Sequence, residues 1–285
     1  MAGRAAGLRR TRFAPSPTGP LHLGHAFAAL TAARLADPSQ FLLRIEDIDR
    51  SRCRGGWESA IHEDLQWLGL DWPAPVMRQS DRLPAYADAL DQLGRLGVIY
   101  PCRCRRADIR AALSAPQEGA QVIGPDGPVY PGTCRGRPMS DAAPDDAIRL
   151  DAGQALALLD LHRIGFADEA VPGTHRITAP AFLAGIGDVV LARRDMGTSY
   201  HLSVVLDDAA QGITLVSRGQ DLFESTYIHA LLQALLGLPQ PLYHHHRLIR
   251  DEHGKRLAKR DDARALRLYR EQGCSPADIR RMLGV

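Results

Sequence analysis

The first patterned stretch, Thr11-Arg12-Phe13-Ala14, is a short run with β-branched and aromatic residues that breaks off at Pro15-Ser16-Pro17-Thr18-Gly19-Pro20. A run stopped by a Pro/Gly cluster predicts a strand feeding a turn. After Leu21-His22-Leu23-Gly24-His25 comes an alanine-rich stretch, helical from about Ala26 to Leu35. Phe41-Leu42-Leu43-Arg44-Ile45 then reads as a second apolar strand, ending in Glu46-Asp47-Ile48-Asp49. Strand, helix and strand in so short a span have the spacing of a βαβ unit in a parallel sheet.

Helical periodicity returns around Trp57 to Leu68 and Leu83 to Leu96. From Cys102 to about Pro144 the pattern collapses into Gly, Pro and paired cysteines, which predicts an insertion held by something other than an apolar core. Strand patterns resume near Gly187-Asp188-Val189-Val190-Leu191, at His201 to Asp208 and at Ile213 to Gly219. A helix from about Leu222 to Leu236, a short strand near Arg247-Leu248-Ile249 and a helical tail complete the reading, with no internal repeat.

Composition narrows the class. With 45% hydrophobic and 24% charged residues the chain is an ordinary globular one, and 285 residues allow one large or two modest domains. No run approaches the roughly 18 apolar residues of a membrane span, and the first ten residues lack the apolar stretch of a secretory signal, so a cytoplasmic location without a membrane partner is expected. A net charge of +2 does not mark a nucleic-acid binder, since proteins that hold phosphates by electrostatics alone usually carry a larger excess, so any RNA contact is expected to be local. The five cysteines are odd in number and three are clustered, which favours a metal over disulfides.

The segment Pro17 to His25 lies where a parallel strand gives way to a helix N-terminus, the place at which such sheets bind phosphate. Gly24 would let a nucleotide lie against the backbone, and His22 and His25 could face one phosphate, although both could equally cap the helix. The chain's only two lysines, Lys255 and Lys259, fall in Asp251-Glu252-His253-Gly254-Lys255-Arg256-Leu257-Ala258-Lys259-Arg260. A compact ammonium can follow a departing phosphate, whereas a planar guanidinium prefers fixed geometry. Arg12 and Arg218 are candidate cations for a carboxylate and Glu46 a candidate anion for an ammonium.

Tyr100-Pro101-Cys102-Arg103-Cys104 and Tyr130-Pro131-Gly132-Thr133-Cys134 look like two metal-ligand arms, with zinc or a reduced, metal-free loop as alternatives. His244-His245-His246 is read as structural, because adjacent strand residues alternate faces and cannot all reach one ion.

Arg12 to Gly19, His22 to His25, and Arg44 to Asp49 together closely resemble the opening of glutamyl-tRNA synthetases, a class I aminoacyl-tRNA synthetase family. The resemblance runs from about residue 11 to 262, with His22–His25 and Arg256–Arg260 standing at the two class I signatures. The second is degenerate, with Ala258 in place of serine. It implies an α/β, Rossmann-like catalytic domain over 1–100 and 187–250, a zinc-bearing insertion over 101–186, and the lysine loop with a short helical remnant over 251–285, without an anticodon-binding domain.

The resemblance also implies site roles. Arg12, Phe13, Ala14, Pro15, Ser16, Glu46, Tyr200 and Arg218 would surround glutamate. Thr18, His22, Gly24, His25 and Lys259 would handle ATP, brought with Mg²⁺, and His22, His25 and Lys259 would be catalytic. Asp207 matches a family position, although a buried capping aspartate explains it equally well. In one branch of the family a tyrosine completes a structural zinc site, which implies Cys102, Cys104, Tyr130 and Cys134 around one ion per chain. The chain stops 26 residues after Lys259, as in a short branch that passes glutamate to queuosine in the anticodon of tRNA(Asp). Alternatives are a shortened enzyme charging tRNA(Glu) and a non-catalytic RNA-binding paralogue. A monomer is expected.

Overall fold

The computed structural model describes residues 7–113, 122–159, 162–250 and 264–285. In chain order the first half contains Thr11–Phe13 (β1), Leu23–Leu35 (α1), Phe41–Ile45 (β2), Gly55–Trp67 (α2), Met77–Arg78 (β3), Leu83–Arg95 (α3), Ile99–Cys102 (β4), Arg106–Leu113 (α4), Ile123–Gly124 (β5) and Gly127–Pro128 (β6). The second half contains Ala147–Leu150 (β7), Ala152–Leu158 (α5), Arg163–Asp168 (β8), Gly173–Thr178 (β9), Ala179–Gly185 (α6), Val190–Ala192 (β10), Tyr200–Ala210 (α7), Leu215–Gly219 (β11), Ser225–Leu236 (α8), Leu242–His246 (β12), Leu266–Glu271 (α9) and Pro276–Leu283 (α10).

The βαβ unit is present: β1 and β2 pair in parallel, with Arg12 opposite Leu42, and β2 continues in parallel to β3. A second parallel pair, β11 and β12, extends through Tyr243 opposite Asp168 to β8, which β9 flanks in antiparallel fashion. The two sheets meet where the Arg10 carbonyl accepts from Thr214 N at 3.0 Å and Leu215 N at 3.1 Å. One apolar core joins α3, α5, α7 and α8 to the β8/β12 side, and another joins α1, α2, α9 and α10 to β1 and β2. A separate antiparallel sheet, β10-β7-β4, ends at Cys102. Among the described residues no helix is long and apolar enough to cross a membrane.

Two expectations fail. His201 to Asp208 is helix, not strand: Ser199 caps α7 by accepting from Leu202 N, and His201, Leu202, Val204 and Val205 are all buried, as are the acids Asp207 and Asp208. A helix covered on every side shows no amphipathic period, so its apolar run imitates a buried strand. The last strand is Leu242–His246 rather than Arg247 to Ile249. Its histidines disguise it, although each finds a partner at Nδ1: His244 Nδ1 lies 3.2 Å from Glu169 Oε1, His245 Nδ1 2.5 Å from Asp168 Oδ2 and His246 Nδ1 2.9 Å from the Arg247 carbonyl.

Candidate functional site

The turn after β1 is fixed by backbone bonds before any ligand arrives. Glu46 N donates to the Pro15 carbonyl at 3.0 Å and Arg54 N to the Pro17 carbonyl at 3.1 Å, which ties the Ala14–Pro20 turn to the end of β2 and to the N-cap of α2. Phe13 is buried in the apolar core beneath it. Ser16, Thr18, Glu46 and Tyr200 line one cleft of about 880 Å³, and Tyr130 and Arg149 stand on its other wall.

At the start of α1 the two histidines form a reciprocal cap. His22 Nδ1 accepts from Gly24 N at 3.1 Å, and His25 Nδ1 accepts from His22 N at 3.2 Å, with ring centroids 3.8 Å apart. The geometry also explains Gly24, since a Cβ there would come within 2.9 Å of His22 Cε1. The capping alternative is therefore realised, and it holds both rings at a helix N-terminus that favours negative charge. Lys255 and Lys259 lie outside the described residues. Beyond them, Ala265 bridges His22, and Leu266 N donates to the Leu21 carbonyl at 2.8 Å.

Behind the cleft lies a buried charge cluster. Arg12 grips Asp208 with Nε to Oδ1 at 2.8 Å and NH2 to Oδ2 at 3.2 Å. Arg44, fully buried, donates to the same Oδ1 at 2.7 Å and to Glu46 Oε1 at 3.3 Å. Burial works against Asp208's charge, but Arg12 and Arg44 outweigh it and hold the carboxyl below its ordinary value. For Glu46 the balance reverses: burial raises its carboxyl despite Arg44 and Arg12. Asp207 is not a cap; from inside α7 it accepts from Gln79 Nε2, Arg82 Nε and the Tyr86 hydroxyl at 2.9, 2.7 and 2.8 Å. Burial raises the Tyr200 phenol, and Arg218, near the end of β11 and 6% exposed, lies close enough to offset part of that rise.

The sequence reading missed Arg44 and Asp208. A charge inside the apolar run Phe41 to Ile45, and acids ending the run Leu202 to Leu206, are the signals that could have found them.

On the insertion, Cys102, Cys104 and Cys134 bring their sulfurs within 4.8 Å of one another. The Tyr130 hydroxyl lies 3.4 Å from both Cys102 Sγ and Cys104 Sγ, and Cys104 and Cys134 sulfurs are 3.5 Å apart. Tetrahedral zinc with bonds of about 2.3 Å to sulfur needs sulfurs about 3.8 Å apart, so three thiols and a phenol in this arrangement suit one metal ion. Arg149, also missed, donates from Nε to Cys102 Sγ at 3.3 Å and lays its guanidinium 3.9 Å over the Tyr130 ring, orienting both side chains. Asp188 supports this wall, accepting from the Tyr100 hydroxyl at 2.6 Å and Arg135 Nε at 2.9 Å.

The family model described as tRNA synthetases class I (E and Q), catalytic domain, matches residues 9–127 and 166–285. The Glutamyl-Q tRNA(Asp) synthetase of Rhodobacter capsulatus is 60% identical over 280 residues, 96% of this chain and 99% of that protein. Its namesake from Nocardia farcinica is 44% identical over 276 residues, 95% of this chain and 82% of that one. A crystal structure of a glutamate tRNA ligase from Elizabethkingia meningosepticum, in complex with its amino acid, superposes with a TM-score of 0.71 at 27% identity. That match covers 96% of this chain, which spans 60% of the ligase's length. The chain is a ligase-class protein of the class I aminoacyl-tRNA synthetase family for E and Q, and within it belongs to the glutamyl-Q tRNA(Asp) synthetases.

Proposed function

We propose that the chain activates L-glutamate with ATP, without needing tRNA, and passes the glutamyl group to queuosine in the anticodon of tRNA(Asp). The observation that carries the first half is the convergence of Ser16, Thr18, Glu46 and Tyr200 on one cleft, with the buried cations Arg12 and Arg218 behind it. The second half is supported by the Rhodobacter relative, matched over nearly its whole length.

The glutamate α-carboxylate attacks the α-phosphate of Mg²⁺-bound ATP, pyrophosphate departs, and a hydroxyl of the queuosine cyclopentenediol then attacks the adenylate carbonyl, releasing AMP. No side-chain nucleophile is needed, because positioning and charge stabilisation supply the acceleration. The helix N-terminus with His22, Gly24 and His25 receives charge developing on the phosphate, together with Lys259 and the backbone at Thr18. Glu46 takes the substrate ammonium, and Arg12 and Arg218 set the site potential that favours an acidic side chain, with Tyr200 and Ser16 completing its walls and Phe13, Ala14 and Pro15 shaping the turn. The reaction belongs to the cytoplasm and needs no membrane.

Exchange of labelled pyrophosphate into ATP should require glutamate and proceed with no tRNA present. Exchange that appears only with tRNA(Glu) identifies a shortened glutamyl-tRNA synthetase instead, and RNA binding with no exchange identifies a non-catalytic paralogue.

The quartet Cys102, Cys104, Tyr130 and Cys134 is read as one structural zinc site per chain, which would hold the Gly/Pro-rich insertion together where no large apolar core does. Metal analysis of protein purified without added metal should give about one zinc per chain, as expected of a closed four-ligand site. A value near zero after gentle purification contradicts the site.

A further inference from the structure

The two cations behind the cleft are compensated in different ways. Arg12 is clamped directly by the Asp208 carboxylate. Arg218 makes no ion pair among the described residues. Its Nε donates to His245 Nε2 at 3.2 Å, NH1 to His229 Nδ1 at 2.9 Å and NH2 to Thr226 Oγ1 at 2.5 Å. Neutral acceptors hold a guanidinium in one orientation but leave its charge uncancelled, which is costly unless an anion is to arrive.

A guanidinium only donates, so the protons along both chains are determined. His229 accepts at Nδ1 and carries its proton on Nε2, 3.1 Å from His201 Nδ1. His201 in turn carries its proton on Nε2, 2.8 Å from Asp126 Oδ2. A proton on His201 Nδ1 would set donor against donor at one of the two preceding bonds, so that nitrogen accepts. On the other side His245 accepts at Nε2 and donates from Nδ1 to Asp168 Oδ2 at 2.5 Å. Burial first, and then the charge of Arg218, push His229 well below its ordinary value and His245 down to about 4.

We propose that the relays Asp126–His201–His229 and Asp168–His245 are positioning devices that orient Arg218 and preserve its charge for the acidic side chain of the amino-acid substrate. The inference rests on the reading of Arg218 as a glutamate-binding residue. Asp126 lies in the turn between β5 and β6, whose residues line the cleft, so the first relay joins the metal-bearing insertion to the amino-acid pocket.

The test is glutamate-dependent pyrophosphate exchange without tRNA, in the full chain. His229→Glu places a carboxylate against Arg218 and should raise the KM for glutamate about tenfold or more, with kcat and the KM for ATP within about twofold of the parent. His229→Gln, a neutral side chain that can still accept and donate, should stay near the parent value. Asp126→Asn should raise the KM severalfold at an unchanged melting temperature, since the Asp126 side chain is 52% exposed. A folded His229→Glu with parental KM, or Asp126→Asn with parental KM, overturns the proposal. Nitrogen-15 NMR of the His229 ring reads the relay independently of substrate: the Nε2–H tautomer supports it, and an Nδ1–H or protonated ring overturns it. A parent protein with no glutamate-dependent exchange but with the Nε2–H tautomer sinks the functional reading and leaves the relay standing.

Discussion

Asp208→Ala is expected to destabilise the fold by roughly 3–5 kcal/mol, because it strips two buried guanidinium groups of the carboxylate they share. Arg12 is 5% exposed and Arg44 fully buried, and both donate to Asp208 Oδ1, at 2.8 and 2.7 Å. Glu46 and Asp207 remain near Arg44, at 3.3 and 4.0 Å, but neither replaces the contact to Arg12. Thermal unfolding should show a fall on the order of 10 °C. Asp208→Asn, which keeps the shape and loses the charge, should fall in between. A melting temperature close to the parent's would mean that the cluster is held chiefly by its packing. The same cluster joins β1, β2 and α7, so the pocket for the amino acid depends on this charge pairing.

The second large effect is catalytic. Lys259→Ala should lower glutamate-dependent pyrophosphate exchange by about 10²–10³-fold, the loss typical when one preorganised charge is removed from a developing anion. Lys259→Arg should also impair exchange, and far more than Lys255→Arg, because a flexible ammonium can track the leaving pyrophosphate whereas a fork-shaped guanidinium is tuned to one geometry. Ala265 bridges His22 and Leu266 N donates to the Leu21 carbonyl, so the first described residues after Lys259 lie at the histidine cap. Equal effects of the two arginine substitutions would mean that the register of the segment has been misread.

What could be read from the sequence was what is local. Phe41 to Ile45 is a strand as expected, because a strand covered on both faces writes a continuous apolar run. The cluster of Cys102, Cys104 and Cys134 was legible through its clustered cysteines, whereas Tyr130 was named only through the family resemblance. By contrast, Arg44 and Asp208 meet across 164 positions, and neither residue alone signals the other. Arg149 reaches Cys102 across 47 positions for the same reason. The helix α7 was misread because burial on all sides erased its period, and β12 because three histidines made a central strand look polar. His22 and His25 show the limit from the other direction. The spacing put them on one helix end and left open whether they face a phosphate or cap the helix, and the folded chain makes them a reciprocal cap.

The central claim is the acceptor. Purified protein with ATP and labelled L-glutamate should transfer label to tRNA(Asp) that carries queuosine and leave tRNA(Asp) lacking it unlabelled. Labelling of tRNA(Glu), or of tRNA(Asp) regardless of queuosine, would contradict the account.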